Sequence, residues 1–507
     1  MLGIGTKLRA STIKRLLALA CAALLITSMA PLYAIARYDH PYYDDFGFAK
    51  AVRTEWQASG DAGRALQAAW NSAKSVRETW QGTYTGTLLS NMQPGAFSER
   101  LYGWGAVFLL TAFLLGFGCF FWTVCRDVLG ACRADACIVT SLLLLVCAQF
   151  LPNHSEAFFW FNGGVGNTFI YAMLFLSLAL CLKLRRAQHT AAKVALLIAL
   201  ALLMTLLGGG SYGGGVLGLC VYACVSLTAI VRKARFRWAY TGLTLWFLVC
   251  FLYSMSAPGN AVRAAQIGVS ASLVGTVCKA LYYGVALFGS YVRLPMLAVG
   301  LAALPMIVAG VRRARFAFPR PWLVAILGLC LYCTQLTATL HSGVFLGGGR
   351  ILDTYYESFV AFFFLLEIYV TGSVVKTLER KGRMPSTATL GTLRRALPIV
   401  CATLLVIGTI AWKRPNDALY GPQNTTGGSA LASLLNGEAR RYDAEMTARE
   451  AILNDETQTT VTLAPLSAVP DVFMEDPLAP GALYDAKPAL CAFYGKDAIL
   501  TEGGDAP

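Results

Sequence analysis

Residues 16–46 read LLALACAALLITSMAPLYAIARYDHPYYDDF. The run carries no charge until Arg37, and then Asp39, His40, Asp44 and Asp45 follow at once. A bilayer core is crossed by about 20 mostly apolar helical residues. The stretch therefore reads as a membrane span that ends at a polar, acid-rich edge. Arg9, Lys14 and Arg15 precede it and assign its start to the cytoplasmic side. With Pro31 and Ala34-Ile35-Ala36, the same layout also fits a cleavable signal peptide. Under either reading residue 37 emerges outside.

The rest of the chain repeats the pattern. Of 507 residues, 56% are hydrophobic and 14% charged. A soluble domain is nearer about 25% charged, so the apolar excess must face lipid. Disorder, collagen-like repeats and a small disulfide scaffold are excluded. Further spans are expected near 102–125, 137–151, 166–183, 193–208, 214–231, 238–255, 294–311, 322–340, 355–373 and 396–412, about eleven with the first. The segments that would then lie inside are 7–15, 126–133, 183–193, 232–237, 312–320 and 376–395, and each is basic. The net charge of +14 divides into +21 for residues 1–412 and −7 for residues 413–507. The positive part is an orientation signal and calls for no nucleic acid. Counting 270–291 as a further crossing would put Arg312, Arg313 and Arg315 outside, so that segment reads as interfacial or re-entrant. The fifteen cysteines lie mostly in apolar runs, and Cys330 and Cys333 read as core packing.

The expected fold is an all-α polytopic membrane protein with about 11 transmembrane helices in residues 1–412. Its first outer loop, 37–101, carries amphipathic juxtamembrane helices. Ala49, Val52 and Trp56 recur at helical spacing, as do Leu66, Trp70, Ala73 and Trp80. Residues 413–507 form a small, acidic, extracytoplasmic α/β domain. Asn424-Thr425-Thr426 in it matches a glycosylation acceptor sequence.

Four outer segments hold site material. Asp44 and Asp45 can supply a general base or hold a metal; they also suit the positive end of the helix that follows. Residues 153–164 (NHSEAFFWFNGG) combine His154, Glu156 and Asn162 with the flat ring of Trp160, which suits a sugar. Residues 257–263 (APGNAVR) place Asn260 in a turn and Arg263 just beyond it, within reach of a phosphate. Gly347-Gly348-Gly349-Arg350, followed by Asp353, offers a second arginine. The glycine run 208–215 lacks the Lys-Ser/Thr of a P-loop. In residues 1–412 the spans hold almost no charge, with Glu367 the one acid inside a span and Asp353 and Glu357 outside. That weakens an ion-coupled carrier. The sequence points to no certain cofactor, and a divalent metal ion shared by His40, Asp44, His154 and Glu156 is an open alternative. All of these segments emerge on one face, where they would assemble a pocket of acids, arginines and aromatics.

That plan resembles polytopic glycosyltransferases of the GT-C type, which carry an acidic motif just after the first span. The order of Asp44-Asp45-Phe46, Trp80-Gln81-Gly82-Thr83-Tyr84, Phe159-Trp160-Phe161-Asn162-Gly163, Ala257-Pro258-Gly259-Asn260-Ala261-Val262-Arg263 and the late Gly-Arg is similar to an uncharacterised family of bacterial glucosyltransferase-like membrane proteins. The resemblance implies an inner-membrane enzyme, N-terminus cytoplasmic, that takes sugar from a polyprenyl-phosphate donor to a cell-envelope glycan or glycolipid. It would make Asp44 or Asp45 the base, Arg263 and Arg350 the phosphate ligands, and Trp160 and His154 the sugar seat, with Glu156, Asn162, Asn260 and Trp80 also in the binding site. The other classes open are a transporter or flippase of lipid-linked saccharides and a non-catalytic envelope-assembly protein.

Overall fold

A computed structural model describes residues 2–268, 271–343, 346, 348–384, 387–414, 417–479 and 486–502. Among them, nine helices are long and apolar enough to cross a membrane. Eight coincide with spans read from the sequence, and the ninth is Leu273–Ser290. The remaining three expected spans fall on shorter apolar stretches. Arg133–Gln149 has 17 residues and Pro321–Thr334 has 14. The last is Ala396–Ile410. The expected count of eleven thus becomes nine full-length helices among the described residues.

Small residues let these helices approach closely. A Cβ on Gly116, in the helix Gly103–Thr123, would lie 2.2 Å from the carbonyl oxygen of Ala172 in Thr168–Arg186. Around that crossing the rings of Phe113, Phe117, Phe120 and Phe175 pack with centroids 4.7–5.0 Å apart. Association within a bilayer depends on such close packing, because lipid tails are as apolar as the side chains they would release.

Contacts sort the connecting segments onto two faces. On one, Lys14 pairs with Asp135, Arg186 with Asp127 and Arg312 with Glu379. There too, Arg313 donates to the carbonyls of Leu129 and Gly130, and Arg232 lies over Phe316. These are the basic segments. On the other face, residue 45 meets 162, 82 meets 260, 156 meets 350 and 154 meets 414. The chain between Asn260 and Arg293 both leaves and returns on this second face, since Asn260 is bonded to Gly82 and Arg293 to Lys413. The Leu273–Ser290 helix between them therefore does not connect opposite faces. It packs against the helices of residues 321–341 through Gly284, whose absent side chain leaves room for Cys333.

The second face is covered by a cap. Two helices of the first loop, Asp44–Ser59 and Ala62–Thr79, turn at Gly60, which adopts φ 63°. Asp61 caps the second helix through the Arg64 amide. In that helix Ala65, Ala69 and Ala73 pack inward, whereas Leu66 and Trp70 are about half exposed. The tail completes the cap rather than standing apart. Its helix Thr426–Leu435 lies on the first helix, and a Cβ on Gly427 would fall 2.3 Å from the Ser28 carbonyl. Its parallel strand pair, Thr460–Leu463 with Ala498–Thr501, supplies Val461, Leu463 and Ile499 to the same apolar cluster as Phe46 and Val52. The glycosylation-type Asn424 is buried, and its amide donates to the carbonyls of Trp412 and Leu419, so it is an internal staple.

Two acids lie elsewhere than expected. Asp353 and Glu357, read as lying outside, stand in the first turns of the helix Gly349–Arg380 and are completely buried. The helix begins before the apolar run does, which draws both acids into the bundle. Asp353 accepts from the Asn153 amide at 2.7 Å.

Candidate functional site

The acidic motif splits into two roles at a strained turn. Tyr43, just before the helix Asp44–Ser59, has φ 41° and ψ −112°. A non-glycine residue held there stores strain that its surroundings must fix. Asp45 does the fixing. It is fully buried; its Oδ2 accepts from the Tyr42 amide at 3.0 Å and the Tyr102 hydroxyl at 2.5 Å, and its Oδ1 accepts from the Asn162 amide at 3.2 Å. Burial raises its carboxyl to about 7, against the pull of those bonds. Buried and accepting three hydrogen bonds, Asp45 is placed to position this turn rather than to meet a solvent-side acceptor. Asp44 points the other way and is solvent-exposed. It has no hydrogen bond or ion pair among the described residues. The protein around it raises its carboxyl above the usual range, while Arg350 and Arg263 draw it down.

Those two arginines, far from Asp44 and from each other in sequence, are mounted alike. Arg350 lies over the Trp160 ring at 4.6 Å and donates to Glu156 Oε2 at 2.8 Å. Arg263 lies over Trp80 at 5.1 Å and donates to Gln81 Oε1. A guanidinium fixed on an aromatic face has already lost most of its rotational freedom and can meet an anion at little further entropic cost. Glu156 also accepts from the Asn153 amide side chain. It orients and partly neutralises Arg350.

Other sequence-read residues turn out to hold the frame. Asn260 Oδ1 accepts from the Gly82 amide and the Tyr212 hydroxyl, and its Nδ2 donates to the carbonyls of Ser254 and Met255. Its hydrogen-bonding capacity is used up. Asn162 donates its amide to Asp45 and accepts from Ser90 at 2.5 Å. Trp160 is only 5% exposed, with Arg350 on one face and Tyr42 at its edge, so it gives a sugar no open platform. Trp80, 38% exposed, is the more open ring. His154 is buried beneath the tail, where it meets Arg414 and the Asp471 carbonyl. Burial and Arg414 push it down to about 4, so it stays neutral and joins the cap to the bundle.

His40 is likewise a connector. Its Nδ1 lies 2.7 Å from Glu450 and its Nε2 3.0 Å from Asp443, both in the tail. The metal set His40, Asp44, His154 and Glu156 is therefore dispersed among separate partners, and no group of three or more His, Cys, Asp or Glu among the described residues could hold a metal ion. Gly349 packs against Asn153, and Gly347 lies outside the described residues. Glycines of the 208–215 run serve close packing, with Gly209 against the Tyr84 ring and Gly215 against Phe251.

Sequence reasoning missed Tyr102, Gln81 and Tyr212. Tyr102 and Tyr212 stand at the edges of apolar runs and Gln81 within a quoted motif, and only their three-dimensional partners mark them out. In comparison with known proteins, the chain matches no family model, no curated protein and no solved structure.

Proposed function

We propose that the protein is an integral-membrane glycosyltransferase of the GT-C type, acting at the outer side of a bacterial inner membrane. Its donor is a polyprenyl-phosphate-linked sugar and its acceptor a cell-envelope glycan or glycolipid. The observation that carries this reading is that the exposed Asp44 carboxylate is acted on by Arg350 and Arg263, two cations already fixed on tryptophan rings.

In the proposed reaction Asp44 accepts the proton of an acceptor hydroxyl. The oxygen attacks the anomeric carbon, the bond from that carbon to the phosphate oxygen breaks, and polyprenyl phosphate leaves with inversion. Arg263 and Arg350 neutralise the charge that grows on the leaving phosphate. The protein around Asp44 raises its carboxyl, which favours proton uptake, while Arg350 and Arg263 oppose that rise.

The test is transfer from purified lipid-linked donor to isolated envelope acceptor. Asp44→Asn is expected to lower turnover by about 10²–10⁴-fold with an unchanged unfolding midpoint. Transfer at the wild-type rate would overturn the assignment. Mass spectrometry of envelope glycans with and without the protein would identify the product.

A second reading, a carrier or flippase of lipid-linked saccharides, is favoured by one observation: the buried Asp353 and Glu357 near the start of a long apolar helix. Intramembrane acids are characteristic of transport pathways. Movement of labelled lipid in vesicles without a new glycosidic bond, lost in Glu357→Gln, would support that reading over the first.

A further inference from the structure

Away from Asp44, the second face carries a small apolar slot. Its volume is about 160 Å³, and its walls include Phe150, Tyr291, Met296, Leu352, Tyr356 and Trp412. An apolar cavity of about this size takes up a small hydrocarbon such as benzene. No acid lines it. Two cations stand at its rim. Arg293 lies over the Trp412 ring at 4.9 Å and donates only to the carbonyls of Ser290 and Lys413. Lys413 donates to the Ala418 carbonyl at 3.4 Å and lies over the Tyr420 ring at 5.4 Å. Neither has a carboxylate partner among the described residues. The third cation in the lining, Arg414, is already neutralised by Asp417 and Asp471 at 2.6 and 2.7 Å. Val292 and Leu297 are exposed on either side of Arg293, so the rim borders an apolar outer surface.

Two positive charges beside a mainly apolar slot at an apolar edge suit a ligand with one anionic head and a hydrocarbon tail. A neutral lipid leaves the cations unanswered, and a free anion leaves the slot empty. We propose that this is a binding site for an anionic membrane phospholipid, its phosphate between Arg293 and Lys413 and the first methylenes of one chain in the slot. The site joins parts that are remote in sequence. Tyr291 and Met296 flank the turn between the Leu273–Ser290 and Leu294–Arg313 helices, and Trp412 to Arg414 is the point where the last apolar helix passes into the tail. A bound lipid ties that turn to the root of the cap. The inference is independent of the glycosyltransferase reading, because neither Asp44, Arg263 nor Arg350 lines the slot.

The test uses the full chain in phosphatidylcholine nanodiscs, with and without phosphatidylglycerol, and inorganic phosphate as a third arm. Phosphatidylglycerol is expected to raise the thermal midpoint and to be retained in native mass spectrometry. The double variant Arg293→Gln/Lys413→Gln is expected to bind it about tenfold or more weakly, since charge-assisted bonds are lost. Met296→Trp, which fills the slot and leaves both cations, is expected to lose the response as well, so misfolding of one variant leaves the other as a test. An equal response to phosphatidylcholine or inorganic phosphate, or wild-type phosphatidylglycerol binding in either variant, would overturn the proposal.

Discussion

Asp44 and Asp45 are adjacent and chemically identical, yet their surroundings assign them opposite tasks. Asp45 accepts three hydrogen bonds in a fully buried site and anchors the strained Tyr43 turn. Replacing it by asparagine turns an acceptor oxygen into a donor facing another donor. Asp45→Asn is therefore expected to cost about 1–3 kcal/mol of stability, read as a lowered unfolding midpoint, and to reduce activity only through that loss. Asp44→Asn should show the reverse, a loss of turnover with no loss of stability. A double variant would merge the two effects, so the single variants carry the information. The sequence exposed the pair but could not apportion it, because Tyr102 and Asn162, which claim Asp45, reach it from distant segments.

At the scale of elements, two motifs that read as separate candidates are one joint. Trp80-Gln81-Gly82 docks on Ser254 to Asn260, with the Gly82 amide on Asn260 and the Ser254 hydroxyl on the Gly82 carbonyl. A Cβ on Gly82 would fall 1.8 Å from the Ser254 carbonyl oxygen, and one on Gly259 would fall 2.4 Å from the Trp80 nitrogen. Backbone cannot give way as a side-chain tip can. Gly82→Ala is expected to cost about 3 kcal/mol or more and to displace Arg263, which stacks on Trp80. Thermal unfolding checks the first effect and donor affinity the second. The same logic applies in the bundle, where Gly116→Leu should prevent assembly of the helices at the Ala172 crossing, visible as loss of a monodisperse species in detergent. Helix spans were legible because lipid demands about 20 apolar residues in a row. The Leu273–Ser290 helix meets that demand too, and only the basic segment after it signalled that both its ends share a face.

Across the whole molecule, the tail is held on the bundle by charged contacts that respond to pH. Burial alone would lower the His40 pKa, but Asp443 and Glu450 outweigh it and raise the group to about 9 from its usual 6.5. A raised histidine contributes stability that is complete below about pH 6.5 and is lost as pH rises through about 9. At about 1.4 kcal/mol per unit, the loss is of the order of 3 kcal/mol. Protease sensitivity of the tail is expected to rise across that window in the wild type and to be flat in His40→Gln. The sequence by itself determined the membrane class, the positions of most spans and the separation of basic from acidic segments, because hydrophobic length and charge sign act locally and sum along the chain. It also marked Asp44, Arg263 and Arg350. The tertiary structure alone decided which of two neighbouring acids faces solvent, that Asn260, Asn162 and His154 hold the frame, that Asp353 and Glu357 are buried, and that the tail shares its core with the first loop. Each of those is set by a partner distant in sequence, and pairing across such distances is fixed by packing, which the order of residues does not display.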